Sequence, residues 1–185
     1  MRIWLLGGLL LLATAAAAGQ PSTLPVVSQV DLTRYTGTWY EIARLPHFFQ
    51  DGCINSRAEY RLNEDGTLAV INRCERRDKP AKRAEGVARV VDADTNARLK
   101  VRFFNWFSNL FPWLTEGDYW IIHLDDNYQV AMVGAPDREY LWILSRTPTL
   151  DPDDTAALVD KARELGFPVS ELVYNRALAA ERTGP

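Results

Sequence analysis

The sequence predicts an all-β protein: an eight-stranded, up-and-down antiparallel β-barrel with a C-terminal α-helix packed on its outside. Three observations carry this. Eight short runs of alternating apolar and polar residues follow one another between Gly37 and Ser145, the period of a strand with one buried face. Turn residues separate the runs, and the connections alternate between short and long. After the last run the period changes once, to that of a helix.

The runs cover 37–44, 56–62, 68–74, 85–91, 99–104, 119–124, 128–134 and 140–145. Asn, Asp and Gly at 63–66, 92–96 and 125–127 make short polar turns, and Ala135-Pro-Asp-Arg138 makes a fourth turn. The connections at 45–55, 75–84 and 105–118 are long. In a meander alternate turns fall at the same end, so one end is laced tightly and the other carries long loops. Eight strands can close with no free edge and leave room for one small ligand. The helix begins at Asp151, an N-cap, with Pro152, Asp153 and Asp154 suited to its first turn. Its apolar stripe is Ala157, Leu158, Ala162 and Leu165, and Gly166 and Pro168 end it.

Residues 1–18 read as a secretory signal peptide: Arg2, an apolar run over 3–12 too short to span a bilayer, and a small-residue tail with cleavage after Ala18. Residues 19–29 form an N-terminal extension, 30–178 the barrel domain and 179–185 a flexible tail. No cysteine precedes Cys53, so the expectation is an exported, periplasmic, unlipidated protein, with association with the outer membrane left open. In that oxidising compartment the two cysteines, Cys53 and Cys74, suggest one disulfide. They flank the 63–66 turn at nearly equal distances, which brings them almost opposite on paired strands. The formal net charge of −3 gives no reason to expect a nucleic-acid partner. The basic residues between Arg73 and Arg83 are broken by acids and read as a solvated loop. No metal-ligand cluster, phosphate loop or nucleophile motif is present, so neither cofactor, metal nor catalysis is expected.

Three short motifs go further. Gly37-x-Trp39, the turn from Asp125 to Tyr128, and Arg146 after the eighth run resemble, in order and spacing, the three signature regions of the lipocalins. In that family the tryptophan closes the barrel floor and the late arginine stacks over it. A guanidinium can lie on an indole face and still donate to backbone carbonyls. The stretches "GTWYEIARLP", "YRLNEDGTLAVIN", "REYLWILSRTP" and "GFPVSEL" are similar to the subfamily of the bacterial lipocalin Blc and apolipoprotein D, over about residues 30–174. The resemblance implies a carrier of a hydrophobic small molecule, such as a fatty acid, phospholipid or lysophospholipid, in envelope transport, storage or maintenance under stress. Blc proper is an outer-membrane lipoprotein, and the lipidated cysteine is missing here.

Alternation assigns the inward faces. The expected cavity residues are Glu41, Ala58, Tyr60, Val70, Asn72, Val101, Phe103, Tyr119, Ile121, Ala131, Tyr140 and Trp142. Leu62 and Leu144 are expected to fill the closed end. Glu41 shares parity with Trp39; a head-group contact and an internal bond are both open to it. Phe48 and Phe49 in the first long loop, and Trp106, Phe107, Phe111 and Trp113 in the third, make the mouth apolar. Such a patch means a partner, a membrane surface or a lid over the cavity. His47 reads as a loop residue and His123 as facing the barrel. A homodimer stays open. Three readings compete: a lipid carrier, an enzyme acting on a lipid or isoprenoid in the barrel, and an envelope protein that docks on membrane with its barrel filled. The sequence favours the first.

Overall fold

The structure is a computed structural model that describes residues 23–77, 79–104 and 116–175. The expected signal peptide, the 179–185 tail, and Trp106, Phe107, Phe111 and Trp113 lie outside the described residues. Eight strands run in order: β1 (Gly37–Arg44), β2 (Cys53–Leu62), β3 (Leu68–Arg76), β4 (Lys82–Val90), β5 (Arg98–Phe103), β6 (Glu116–Leu124), β7 (Val130–Gly134) and β8 (Leu141–Ser145). Each pairs antiparallel with the next, and β1 pairs with both β2 and β8, which closes the barrel. Helix α1 (Leu32–Tyr35) precedes β1. Helix α2 (Pro152–Glu164) and a short β9 (Val173–Tyr174) follow β8. β9 adds to β1 at Ala43 and Arg44, above the point where the β1–β2 pairing ends at Tyr40 and Arg57.

Several expected boundaries move: β2, β4 and β6 begin three residues earlier than expected, β3 ends two residues later, β5 shifts one residue towards the N-terminus, β4 ends one residue earlier, and β7 and β8 begin later. Tyr128 belongs to a turn, not to β7, with φ 60. The Asp125 carboxylate accepts the N–H groups of Asn127, Gln129 and Val130 at 3.1, 2.6 and 2.5 Å and holds that turn out of the ladder. Tyr140 closes the turn that starts at Ala135, so β8 begins one residue later. Helix α1 was not foreseen, although Asp31 caps it with hydrogen bonds from the N–H groups of Thr33 and Arg34.

The closed end is sealed by one stack. Trp39 is fully buried, and its Nε1 donates to Tyr35 O at 2.9 Å. The Arg146 guanidinium lies 3.9 Å above the indole. It donates to the carbonyls of Tyr128, Thr38, Arg34 and Tyr35 at 2.9–3.3 Å. Gly37 has φ 94, and a Cβ there would stand 3.3 Å from Arg146 Nη1. The positive φ calls for glycine, and a side chain there would also crowd the guanidinium. Leu62, expected in this floor, is instead 44% exposed, because it is the last residue of β2 before the chain reverses at the outer edge of the closed end.

Inner and outer faces each make a core. Inside, Trp39, Ala58, Tyr60, Leu68, Val70, Ala88, Leu99, Ile121, Ala131, Val133 and Leu144 pack together. Outside, Leu158 and Ala162 of α2 cover Ile42, Ala43, Ile122, Met132, Leu141 and Ile143. Of the expected stripe, Ala157 is exposed and Leu165 only partly buried. Two bulges break strict alternation. One at Ile122 turns both Ile122 and His123 outward, since His123 then pairs with Met132 of the outer core. The expectation that His123 faces the barrel is thereby corrected.

Replacing Arg146 by Ala strands several carbonyls and removes the cation–π contact. Unfolding in denaturant should show a loss of about 2–4 kcal/mol. A loss below about 1 kcal/mol would mean that the stack does not hold the floor.

Candidate functional site

The inward faces grade from sealed to open along the barrel axis. At the bottom, Leu68, Ala88, Leu99, Ala131 and Leu144 are buried. Above them three phenols meet: Tyr119 Oη lies 2.8 Å from Tyr35 Oη and 3.0 Å from Tyr60 Oη. β2 and β6 stand on opposite walls, so this contact spans the barrel. Burial pushes all three phenols up, Tyr60 to about 12, so each is a neutral hydroxyl. Higher still, Asn72, Val101, Phe103 and Trp142 face inward yet keep solvent exposure, and Ala84, opposite Asn72, is exposed. An inward residue of a closed barrel meets solvent only where the barrel is open from above.

At the top of this space lies a polar cluster. A second bulge, at Ile42, reverses the parity of β1. Ile42 and Ala43 both turn outward, and Arg44 pairs with the inward Trp142. Glu41 and Arg44 therefore share the interior, 5% and 4% exposed, with Arg44 Nε 3.4 Å from Glu41 Oε1. The 3₁₀ turn Phe48–Gln50 in the first long connection sends Gln50 over them. Gln50 Nε2 donates to Glu41 Oε2 at 2.7 Å and to Ser56 Oγ at 3.0 Å, and Gln50 Oε1 accepts from Trp142 Nε1 at 3.0 Å. Gln50 thus bridges β1, β2 and β8. Burial pushes the Glu41 carboxyl up, opposed by the Gln50 hydrogen bond and by Arg44. Arg44 Nη1, both His47 ring nitrogens and Asn72 Oδ1 are buried without a hydrogen-bond partner among the described residues.

The rim is aromatic. The His47 ring stacks on Phe49 at 3.7 Å and stands 5.3 Å from Trp142 and 5.9 Å from Tyr140. Phe48 is 83% exposed and Phe104 53%. Cys53 and Cys74 form the expected disulfide, which ties β2 to β3 at this end with a Cα–Cα distance of 5.5 Å. A solvent-open cleft of about 520 Å³ lies outside the barrel between α2 and β9, lined by Ile42, Leu150, Val159, Arg163 and Tyr174 among others. Its charged residues, Asp160 and Arg163, pair with each other.

Residues 30–177 match the family described as "Lipocalin-like domain". The chain is 40% identical over 158 residues to "Outer membrane lipoprotein Blc" of Vibrio cholerae, covering 84% of this chain and 88% of that one. It is 40% identical over 165 residues to the protein of the same name from Escherichia coli K12, covering 89% of each. The chain belongs to the lipocalin family. It is also 35% identical over 143 residues to apolipoprotein D of Bos taurus, covering 74% of this chain and 71% of that one. Among solved structures, insecticyanin of the tobacco hornworm Manduca sexta superposes with a TM-score of 0.62 at 20% identity, over 84% of this chain and 85% of that one. Lipocalin membership is consistent with the binding of small hydrophobic ligands.

Within this lipocalin the expected cavity residues divide. Ala58, Tyr60, Val70, Ile121 and Ala131 lie in the filled inner core, Asn72, Val101, Phe103, Tyr119 and Trp142 are partly open, and Tyr140 belongs to the rim. Glu41 points inward and pairs with Arg44. Tyr35, Arg44, Gln50 and Ser56 escaped the sequence reading. Strict alternation from Glu41 puts residue 44 on the outside, and only the bulge brings it in.

Burial, and then the Arg44 charge, hold His47 at about 4, against an ordinary 6.5. The open chain takes up a proton more readily than the closed rim. The closed rim is therefore favoured above about pH 6.5, and that contribution is lost as pH falls through 4. An imidazole titration followed by NMR should give a midpoint near 4 for His47. A midpoint at 6.5 would mean that the ring is not enclosed in solution.

Proposed function

We propose that this lipocalin is a non-catalytic carrier. It holds the alkyl chain of a fatty acid, phospholipid or lysophospholipid in the upper barrel and serves the cell envelope. The observation that supports this best is the gradient inside the barrel. Apolar, solvent-reachable walls of Val101, Phe103 and Trp142 stand over a sealed floor, beneath an aromatic rim. Ligand pockets have this make-up, apolar with a few placed polar groups. Each buried methylene adds about 0.8 kcal/mol, and the three phenol hydroxyls set how deep a chain can reach. The disulfide takes both thiols out of use as nucleophiles, which supports a carrier over an enzyme.

Export and association with the outer membrane draw support from the relatives named outer membrane lipoproteins. Both cysteines of this sequence are engaged with each other, which supports an unlipidated form. Exposed Phe48, Phe49 and Phe104 at the rim support contact with a membrane surface from which a lipid is taken or to which it is given. The competing reading, a filled barrel that only docks, draws on the phenol contact that fills the lower half.

Two variants separate these readings. Val101→Trp should fill the upper barrel and weaken a fluorescent fatty-acid probe about tenfold or more, with a stability loss of no more than about 3 kcal/mol. Unchanged binding would sink the barrel as the site. The double change Phe48→Ser with Phe49→Ser should reduce co-sedimentation with lipid vesicles while the probe's Kd in solution stays within about threefold. Undiminished co-sedimentation would remove the rim from membrane contact.

A further inference from the structure

Arg44 is a buried cation whose surroundings leave much of it unused. It is 4% exposed and faces the barrel interior opposite Trp142. Of its nitrogens, Nη2 donates to Gln50 O at 3.1 Å. Nε stands 3.4 Å from Glu41 Oε1 without hydrogen-bond geometry, and Nη1 has no partner among the described residues. Gln50 does not supply one: its amide N–H groups go to Glu41 and Ser56, and its Oε1 accepts from Trp142. The His47 ring belongs to the same cluster, with both nitrogens buried and unpartnered. A neutral imidazole still offers one N–H. Arg44 is a buried side chain and His47 a half-buried one, and buried donor atoms left unmade on two neighbouring side chains are uncommon in folded proteins. Here both belong to the top of the space that would hold an alkyl chain, and a guanidinium matches a pair of anionic oxygens.

We propose that Arg44, with His47, forms a head-group subsite for a singly anionic lipid. It would receive the two oxygens of a carboxylate or of a phosphodiester, while the alkyl chain points down towards the phenol hydroxyls. This rests on the carrier reading above. It orders the ligand: tail first, with the charge coming to rest beneath the Phe48–Gln50 turn rather than in bulk water. Gln50 is then the latch that must let go of Trp142 or Ser56 for the head group to pass. Charge balance is met within the cluster. Glu41 and Arg44 cancel in the free protein, and Glu41, held by burial towards its neutral form, can take a proton when an anion arrives. The other groups that touch Glu41 and Arg44, namely Gln50 and Asn175, carry no charge; His47 is the remaining titratable group close to Arg44.

The test is a titration of the full chain, by calorimetry, with three probes of equal chain length below their micelle-forming concentrations. These are hexadecanoic acid, a hexadecanoyl lysophosphatidylglycerol and hexadecan-1-ol. At least one anionic probe should bind about ten- to a hundredfold more tightly than the alcohol, and the tighter of the two tells a carboxylate from a phosphodiester. In Glu41→Gln/Arg44→Gln, which removes both charges together and leaves no lone buried ion, acid and alcohol should bind within about threefold of each other. Arg44→Lys keeps the charge on one nitrogen and should retain a reduced preference. Equal affinities in the native protein would overturn the subsite and leave the carrier standing. A preference that survives in the double variant would place the charge recognition elsewhere. Failure of all three probes to bind would overturn both.

Discussion

The guanidinium of Arg146 over the indole of Trp39 is the contact on which the rest of this barrel depends. A closed sheet of eight strands is a tube, and a tube open at both ends fills with water. The stack makes one end dry. It does so with a group that is itself charged, which is tolerable because its N–H groups are taken up by four backbone carbonyls of the surrounding loops. Those carbonyls belong to the α1–β1 stretch and to the Asp125 turn, so one side chain just after β8 fastens two distant pieces of chain to the floor. Gly37 belongs to the same contact, since it turns to a positive φ and a side chain there would crowd Nη1.

Above that floor the barrel changes character in two steps. Apolar residues and the three phenols fill the lower half. The phenols satisfy one another across the barrel, so three hydroxyls are buried without reaching for backbone. The upper half is laid out differently, with apolar walls that solvent still reaches and a polar cluster set into them on the β1 side. The disulfide and Gln50 both brace this end, one within the sheet and one across it.

Much of the barrel was legible because its signals are chemical as well as periodic. Trp39, Arg146 and the Asp125 turn are residue types that few other positions would demand, and alternation along β2, β3, β5 and β8 assigns their inner faces. What stayed hidden turns on one-residue irregularities. The bulge at Ile42 leaves no mark in the composition of "EIAR", yet it decides that Arg44 lies inside beside Glu41. The bulge at Ile122 does the same for His123, in the opposite sense. Such shifts answer to the packing of α2 and β9 against the outer face, which is a long-range property. The Phe48–Gln50 turn escaped for the same reason. Gln50 is an ordinary loop residue until three strands present it with partners.

The seam between β1 and β2 has a temporal meaning. Those strands part above Tyr40 and Arg57, and from there the free edge of β1 is paired with Val173 and Tyr174, near the end of the described residues. A polypeptide delivered from its N-terminus has nothing with which to cover that edge until after β8 and α2 have followed. Covering of that edge therefore waits on β9, and a chain delivered only as far as β8 keeps part of β1 unpaired on one side.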